Sequence, residues 1–423
     1  MKSIKKFLVV LLAVLVLVGC SSKPASKDDA SIVTEIKEDV TVTFWHAMNG
    51  AQEESLTRIT EKFMADNPKI KIELLNQSKY QDLQSKINAA MQSPKDLPTI
   101  TQAYPNWLWT AATVANLLVD IDPYMNHSDL GIKDIDDINK ALLDGAKIDG
   151  KQYGMPFNKS TEVLYYNKDL LAQYGVEVPT TMEELKEASK TIYEKSNGEV
   201  VGVGFDSLTN YYSIGMKEAG VEFNKDLDIT SDASVNLIKY YQDGIKEGYF
   251  RIAGSDKYLS GPFGEQKIAM NIGSMAGESH VRKGSEGKFE YGVALRPSEV
   301  NLQQGTDIYM FSEATPEQRT AAFLYMKHLV SKESQLDWAS STGYMPVRTS
   351  VQNDKAYAES ESKVAPLIAE ATKNLFPLPV IENSDPAYQL SGKIVEDLLV
   401  NKDKDVKETL EGYKAEMKDT WNQ

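Results

Sequence analysis

Flat aromatic rings and short polar side chains stand just beyond several runs of alternating apolar residues. His46 and Asn49 follow Val40, Val42 and Phe44, and Tyr104 and Trp107 follow a run that ends near Tyr104. Asp206 follows Val200–Phe205, while Ser274 and Met275 follow Ile268–Ile272. This mixture suits recognition of a sugar or polyol. Aromatic faces cover its C–H surfaces, and side-chain donors and acceptors meet its hydroxyls. Asp206 is placed to accept hydroxyl protons. The same residue types also serve ordinary structure. Trp45 reads as core, Trp107 and Trp109 share an amphipathic stretch, and Tyr165 and Tyr166 read as packing. A lone Asp after a strand is also a common helix cap.

Patterns for catalysis are missing. The chain holds no H-E-x-x-H, C-x-x-C, G-x-S-x-G or G-x-x-x-x-G-K-[ST]. His46, His127, His280 and His328 are scattered, with no pair at metal-ligand spacing. Asp226-x-Asp228-x-Thr230 begins like a calcium loop but lacks the later glycine and glutamate. No catalytic residue, metal site or cofactor is assigned. Two other classes fit an exported acidic chain. A glycoside hydrolase would need two carboxylates at a defined separation, which a sequence does not display. The other is a surface adhesin.

The elements that must position these residues follow a regular grammar. Val40, Val42 and Phe44 alternate as a strand; Leu56, Ile59, Phe63 and Met64 recur at helical spacing until Asn67-Pro68; Ile70, Ile72 and Leu74 alternate again. Strand, helix and strand at this spacing predict a βαβ unit with a parallel pair. A helix through Leu83, Ile87 and Met91 and a strand ending near Tyr104 continue the pattern. Further on, Val163–Tyr166 and Val200–Phe205 read as strands. Thr181 with Glu184, and Thr315 with Gln318 and Pro316, read as capped helix starts. The result is an α/β fold whose ligand sits at the carboxyl ends of strands. No flexible linker divides the chain, so repeated crossings between two lobes are expected.

Cys20 is the single cysteine, and it closes Leu17-Val18-Gly19-Cys20 after a basic start (Lys2, Lys5, Lys6) and the apolar run Phe7–Val18. That pattern reads as an export signal, too short to span a bilayer. It resembles the bacterial lipoprotein signal. The resemblance implies cleavage after residue 19, lipid on Cys20, a tether over 20–37 and a place on the outer face of the cytoplasmic membrane. The net charge of −15 excludes nucleic-acid binding, which needs clustered Lys and Arg.

The run GKQYGMPFNKSTEVLYYNKDLLAQYGVEVPTTMEEL from Gly150 resembles family 1 extracellular solute-binding proteins, the ligand-capturing subunits of ABC importers. VTFWHAMNG (42–50) and STGYMPV (341–347) are similar to other family segments, closest to the glycerol-3-phosphate and sugar-binding branch. The resemblance implies a type II periplasmic-binding-protein-like fold. Its two α/β lobes, 38–158 with 308–346 and 162–302 with 350–423, would meet at a multi-strand hinge around an interlobe cleft. Crossings are expected near Lys159–Thr161, Gly305–Thr306 and Val347–Ser350. It also implies ABC permease partners with a cytoplasmic ATPase, and a monomer. By the same resemblance Tyr80, Gly305 and Tyr344 contact ligand, and Ser160 falls in the hinge motif.

The chain departs from the phosphate-binding branch at three places. Pro105 stands where that branch carries glutamate. No tryptophan lies near Asp206–Thr209, and no arginine lies near Tyr388-Gln389-Leu390. An arginine fork recognises phosphate bidentately and glutamine does not replace it. The expected ligand is therefore a neutral saccharide or oligosaccharide, with glycerol 3-phosphate or a glycerophosphodiester as the alternative.

Overall fold

The computed structural model describes residues 32–423. The leader and Cys20 lie outside the described residues. Strand β1 (Val40–His46) buries Val42 and Phe44, the inward members of its alternation. Helix α1 (Ala51–Asp66) covers them with Leu56, Ile59 and Phe63. Strand β2 (Ile70–Asn76) pairs parallel to β1 from Val40↔Ile70 to His46↔Asn76, as the spacing predicts. Helix α2 (Tyr80–Ala90) and strand β3 (Ile100–Ala103) follow.

Strands β4 (Gly154–Ser160) and β5 (Glu162–Asn167) come next, then helix α3 (Met182–Lys195) and strands β6 (Val201–Phe205), β7 (Phe250–Ile252) and β8 (Ile268–Ser274). Helix α4 (Glu278–Ser285), strand β9 (Tyr291–Leu295) and strand β10 (Gln304–Met310) complete the sheets. One sheet has the order β2-β1-β3-β10-β4 and the other β9-β5-β8-β6-β7. Helices α5 (Pro316–Leu329) and α6 (Lys332–Thr342) return to the first sheet, and α7 (Ser384–Val400) packs on the second.

Both predicted caps form, with one difference. Thr315 and Gln318 make the full reciprocal box, with Pro316 at the first helical position. Thr181 accepts from the Glu184 amide, but the Glu184 carboxylate turns to the amide and hydroxyl of Thr180 instead. Thr180 supplies two donors where Thr181 supplies one.

Three chain passages join the sheets. The first takes one residue: β4 ends at Ser160 and β5 starts at Glu162. The second has entered the first sheet by Gln304, before Gly305. At the third, the Met345 amide donates to Lys159 O at 2.8 Å. Buried ion pairs flank the first passage, Lys159–Asp307 at 2.9 Å on one side and Glu162–Arg296 at 3.0 Å on the other. Gly305 holds φ at 84°, and a Cβ there would lie 2.0 Å from Asn158 O, so glycine alone fits.

Residues 32–37, read from sequence as the end of the tether, lie against the first lobe. Ile32 and Ile36 pack on its core, and Val33 O accepts from Thr320 Oγ1. Two apolar side chains among the charges account for the docking. Residues 349–358 pack on α6, Val364, Ala365, Ile368 and Ala371 join the same core, and the backbone amide of Lys363 and hydroxyl of Ser362 donate to Glu278.

Candidate ligand-binding cleft

Four aromatic rings build a wall on the first lobe. Tyr80 starts α2, Tyr104 and Trp107 leave the end of β3, and Tyr344 follows α6. The Tyr80 ring meets Tyr104 at 5.8 Å and Trp107 at 6.3 Å, both edge-on, and Tyr104 meets Trp107 at 5.0 Å. Tyr344 stacks on the buried Trp338 at 5.3 Å, and its hydroxyl lies 3.0 Å from that of Tyr80.

A buried amide chain orients this pair. The Ala47 amide donates to Gln102 Oε1, Gln102 Nε2 donates to Asn158 Oδ1, and Asn158 Nδ2 donates to the Tyr80 hydroxyl at 2.9 Å. Because the first donor is backbone, both amide orientations are determined. Burial above all pushes the phenols of Tyr80, Tyr104 and Tyr344 upward, so all three keep their protons and remain donors.

From the second lobe Tyr258 and Tyr388 come within electrostatic reach of these rings, and Asp385 reaches Asn106 beside them; Asp206 lies near Tyr258, and Ser274 meets Ser160. Burial, and next the charge of Glu162, push the Asp206 carboxyl up to about 7. Its Oδ1 accepts from the Tyr211 hydroxyl at 3.2 Å. Tyr258 is 62% exposed, within electrostatic reach of Asp206 and of Lys79 in the first lobe. Tyr388 donates to Asn210, which donates onward to Glu162 at 3.2 Å.

The lobes also touch directly. Asp385 accepts from Gln84 at 2.7 Å and from Asn106 at 3.3 Å, both in the first lobe. Gln52 donates to Ala276 O at 3.1 Å. Ser160 and Ser274 hydroxyls meet at 2.6 Å where the strands pass between lobes. The arrangement is a hinged cleft with an aromatic wall opposite acidic and hydroxyl groups. Among the described residues, no group of three or more His, Cys, Asp or Glu is placed to hold a metal, and no helix is long and apolar enough to cross a membrane.

The sequence profile of bacterial extracellular solute-binding proteins matches residues 58–365. The chain belongs to this family. The solute-binding protein is 25% identical over 338 residues to the sn-glycerol-3-phosphate-binding periplasmic protein UgpB of Shigella flexneri, covering 73% of this chain and 74% of that one. Among solved structures, UgpB from Mycobacterium tuberculosis in complex with glycerophosphocholine superposes with a TM-score of 0.80 at 17% identity, over 91% of this chain and 99% of that one. The GacH receptor of Streptomyces glaucescens, solved unliganded and with acarbose, gives 0.79 at 20% identity, over 90% and 98%. These likenesses show the two-lobed type II fold.

In this solute-binding protein the structure brings Tyr80, Tyr104, Trp107 and Tyr344 together, with Asp206 near Tyr258 and Ser274 against Ser160. His46 stands apart. It is 1% exposed, its Nδ1 accepts from the Met48 amide, and burial lowers its pKa to about 4. It continues the inward parity of Val42 and Phe44, a signal already present in the sequence. Asn49 is exposed beside the start of α1, next to Gly50, whose nearest side chain is His280 of α4. Met275 is fully buried; its amide donates to Thr161 O and its carbonyl accepts from Tyr165. Gly305 and Ser160 belong to the hinge, although Gly305 also bonds Tyr104 through its backbone. Asp206 caps nothing, since the next helix has Ser207 at its N-cap. The sequence reading missed Asn158, Tyr258, Asp385 and Tyr388. Asn158 lay inside the PFN motif, whereas Tyr258 and Asp385 had no local signal.

Proposed function

We propose that this protein captures a saccharide or oligosaccharide between its lobes and delivers it to ABC permease subunits driven by a cytoplasmic ATPase. One observation carries the reading: four rings of the first lobe face hydroxyl and carboxylate groups of the second, and none of the residues assembled there is arginine. Arg296, behind them, is committed to Glu162 at 3.0 Å. Stacked rings match the C–H faces of a sugar, and the surrounding acceptors match its hydroxyls. Capture requires no catalysis. A ligand touching both lobes favours the closed form by its differential affinity. The moving parts are 38–158 with 308–346, and 162–302 with 372–423; residues 349–371, expected from sequence in the second lobe, pack into the first lobe's core cluster and lie along the joint.

A glycerophosphodiester or glycerol 3-phosphate is the second reading, because Lys79 and Lys257 face each other across the cleft mouth. Bonding to Lys79 and its charge hold the Lys257 ammonium below its usual range. The UgpB relatives named above bind such compounds by name.

A thermal-shift panel of malto-, galacto- and amino-sugar oligosaccharides, glycerol 3-phosphate and glycerophosphocholine decides between them. Ligand at about 100 times its dissociation constant stabilises by about 2.7 kcal/mol. Stabilisation by a saccharide without hydrolysis is the expected result. A response to glycerophosphates alone would replace the first reading by the second. In the cell, the protein acts as a monomer held to the outer face of the membrane by lipid on Cys20. Changing Cys20 to Ala releases it into the soluble fraction; retention in membranes would remove the anchor from this account.

A further inference from the structure

Beside Asp206 the floor of the second lobe has a notch. Asn271 and Gly273 lie two residues apart on β8 and so share one face of the sheet. Where a side chain on Gly273 would begin, the nearest atoms are Asp206 Oδ2 at 3.4 Å and the Asn271 amide at 3.6 and 3.7 Å. Asn271 is 3% exposed, yet its Oδ1 has no hydrogen-bond donor. A buried acceptor without a donor costs about 1–3 kcal/mol, and native proteins keep few of them. Asp206 Oδ2 faces the same space, since Tyr211 binds the other oxygen, Oδ1. A carboxylate oxygen at 3.4 Å, the Asn271 amide nitrogen at 3.6 Å and its unpaired carbonyl oxygen at 3.7 Å thus converge where glycine leaves room. The two oxygens accept from N–H or O–H groups and the carboxylate repels a phosphate, while the amide nitrogen can donate back to a hydroxyl.

We propose that the notch over Gly273 is a subsite for a hydrogen-donating group of the ligand, a hydroxyl pair or an amine of a saccharide, which donates to Asn271 Oδ1 and Asp206 Oδ2. This rests on the saccharide reading above. It adds Asn271 and Gly273 as specificity-determining positions.

Gly273→Ala is the probe. Gly273 is not among the residues with positive φ, and its new methyl would make ordinary contacts, so the fold accepts it. The methyl occupies the notch. Full-length protein, wild type and Gly273→Ala, is titrated with maltotriose, a deacetylated chitosan trimer and glycerophosphocholine, with unfolding followed in parallel. The expected result is an unchanged unfolding transition and a dissociation constant raised at least tenfold for the saccharide that binds. Asn271→Leu, which removes the acceptor at similar size, shows the same loss. A greater loss for the chitosan trimer identifies an amine, and a greater loss for maltotriose identifies hydroxyls. Wild-type affinity in Gly273→Ala, with binding lost in Tyr344→Ala, overturns the notch and leaves the cleft standing. Wild-type affinity in both variants overturns both readings, as does wild-type binding of glycerophosphocholine alone.

Discussion

The hydroxyl of Tyr80, at the first turn of α2, lies 3.0 Å from that of Tyr344, 264 residues later in the chain. Asn158 donates to the same Tyr80 oxygen, and Trp338 backs the Tyr344 ring. The pair is therefore held before any ligand arrives, which lowers the ordering cost of binding. Replacing Tyr344 with Ala should weaken saccharide binding at least tenfold by calorimetry. Tyr80→Phe keeps the ring but removes the nearer of the two hydroxyls that Asn158 bonds, leaving it Tyr344 alone. Urea unfolding should then show a loss of about 0.5–1.5 kcal/mol.

Asp385 links α7 to Gln84 and Asn106 of the opposite lobe. Asp385→Ala should open the unliganded protein, seen as a larger radius of gyration in X-ray scattering. Apparent affinity should fall by a common factor, roughly tenfold, for every ligand, because the closed form is less populated. A change in ligand ranking would instead make Asp385 a direct ligand contact.

Asp206 predicts a pH dependence. Burial and the charge of Glu162 raise its carboxyl to about 7, with Tyr211, Tyr258 and Tyr165 the other titratable groups around it. The folded protein then holds this proton more tightly than the unfolded chain, where Asp titrates near about 3.9. Its contribution to stability is fully present below that value and is lost as pH rises through about 7. Ligand donating to the ionised carboxylate should bind better as pH rises to about 7, with proton release on binding. Calorimetry in buffers of different ionisation enthalpy measures that release. Asp206→Asn should abolish it.

Lys159 and Asp307 pair at 2.9 Å inside the hinge, both shut off from water. Lys159→Met leaves a buried carboxylate supported chiefly by Tyr309 and should cost about 3–5 kcal/mol. Adding Asp307→Leu should recover much of that loss, because the uncompensated charge is gone. Equal denaturation midpoints for the single and double variants would show that the ion pair does not set hinge stability.

Local order was legible from residue spacing because it depends on near neighbours. The parity of Val40, Val42 and Phe44, the α1 face and the Thr315–Gln318 box each follow from side chains within a few positions. The same parity extended to His46 marks it as buried. The family resemblance carried the two-lobed architecture and pointed separately to Tyr80 and Tyr344, whose hydroxyls the structure brings to 3.0 Å. What only the tertiary structure decided was which polar groups meet. Gln84 and Asp385 are 301 residues apart in sequence, and Ser160 and Ser274 are 114 apart. The Asp206 carboxyl is raised by its surroundings, and Asp206 meets the face of Gly273 and Asn271 although 67 residues separate Asp206 from Gly273. Spacing along a chain sets which face a side chain takes. Desolvation, and contacts closed between remote segments, arise only when the lobes are packed.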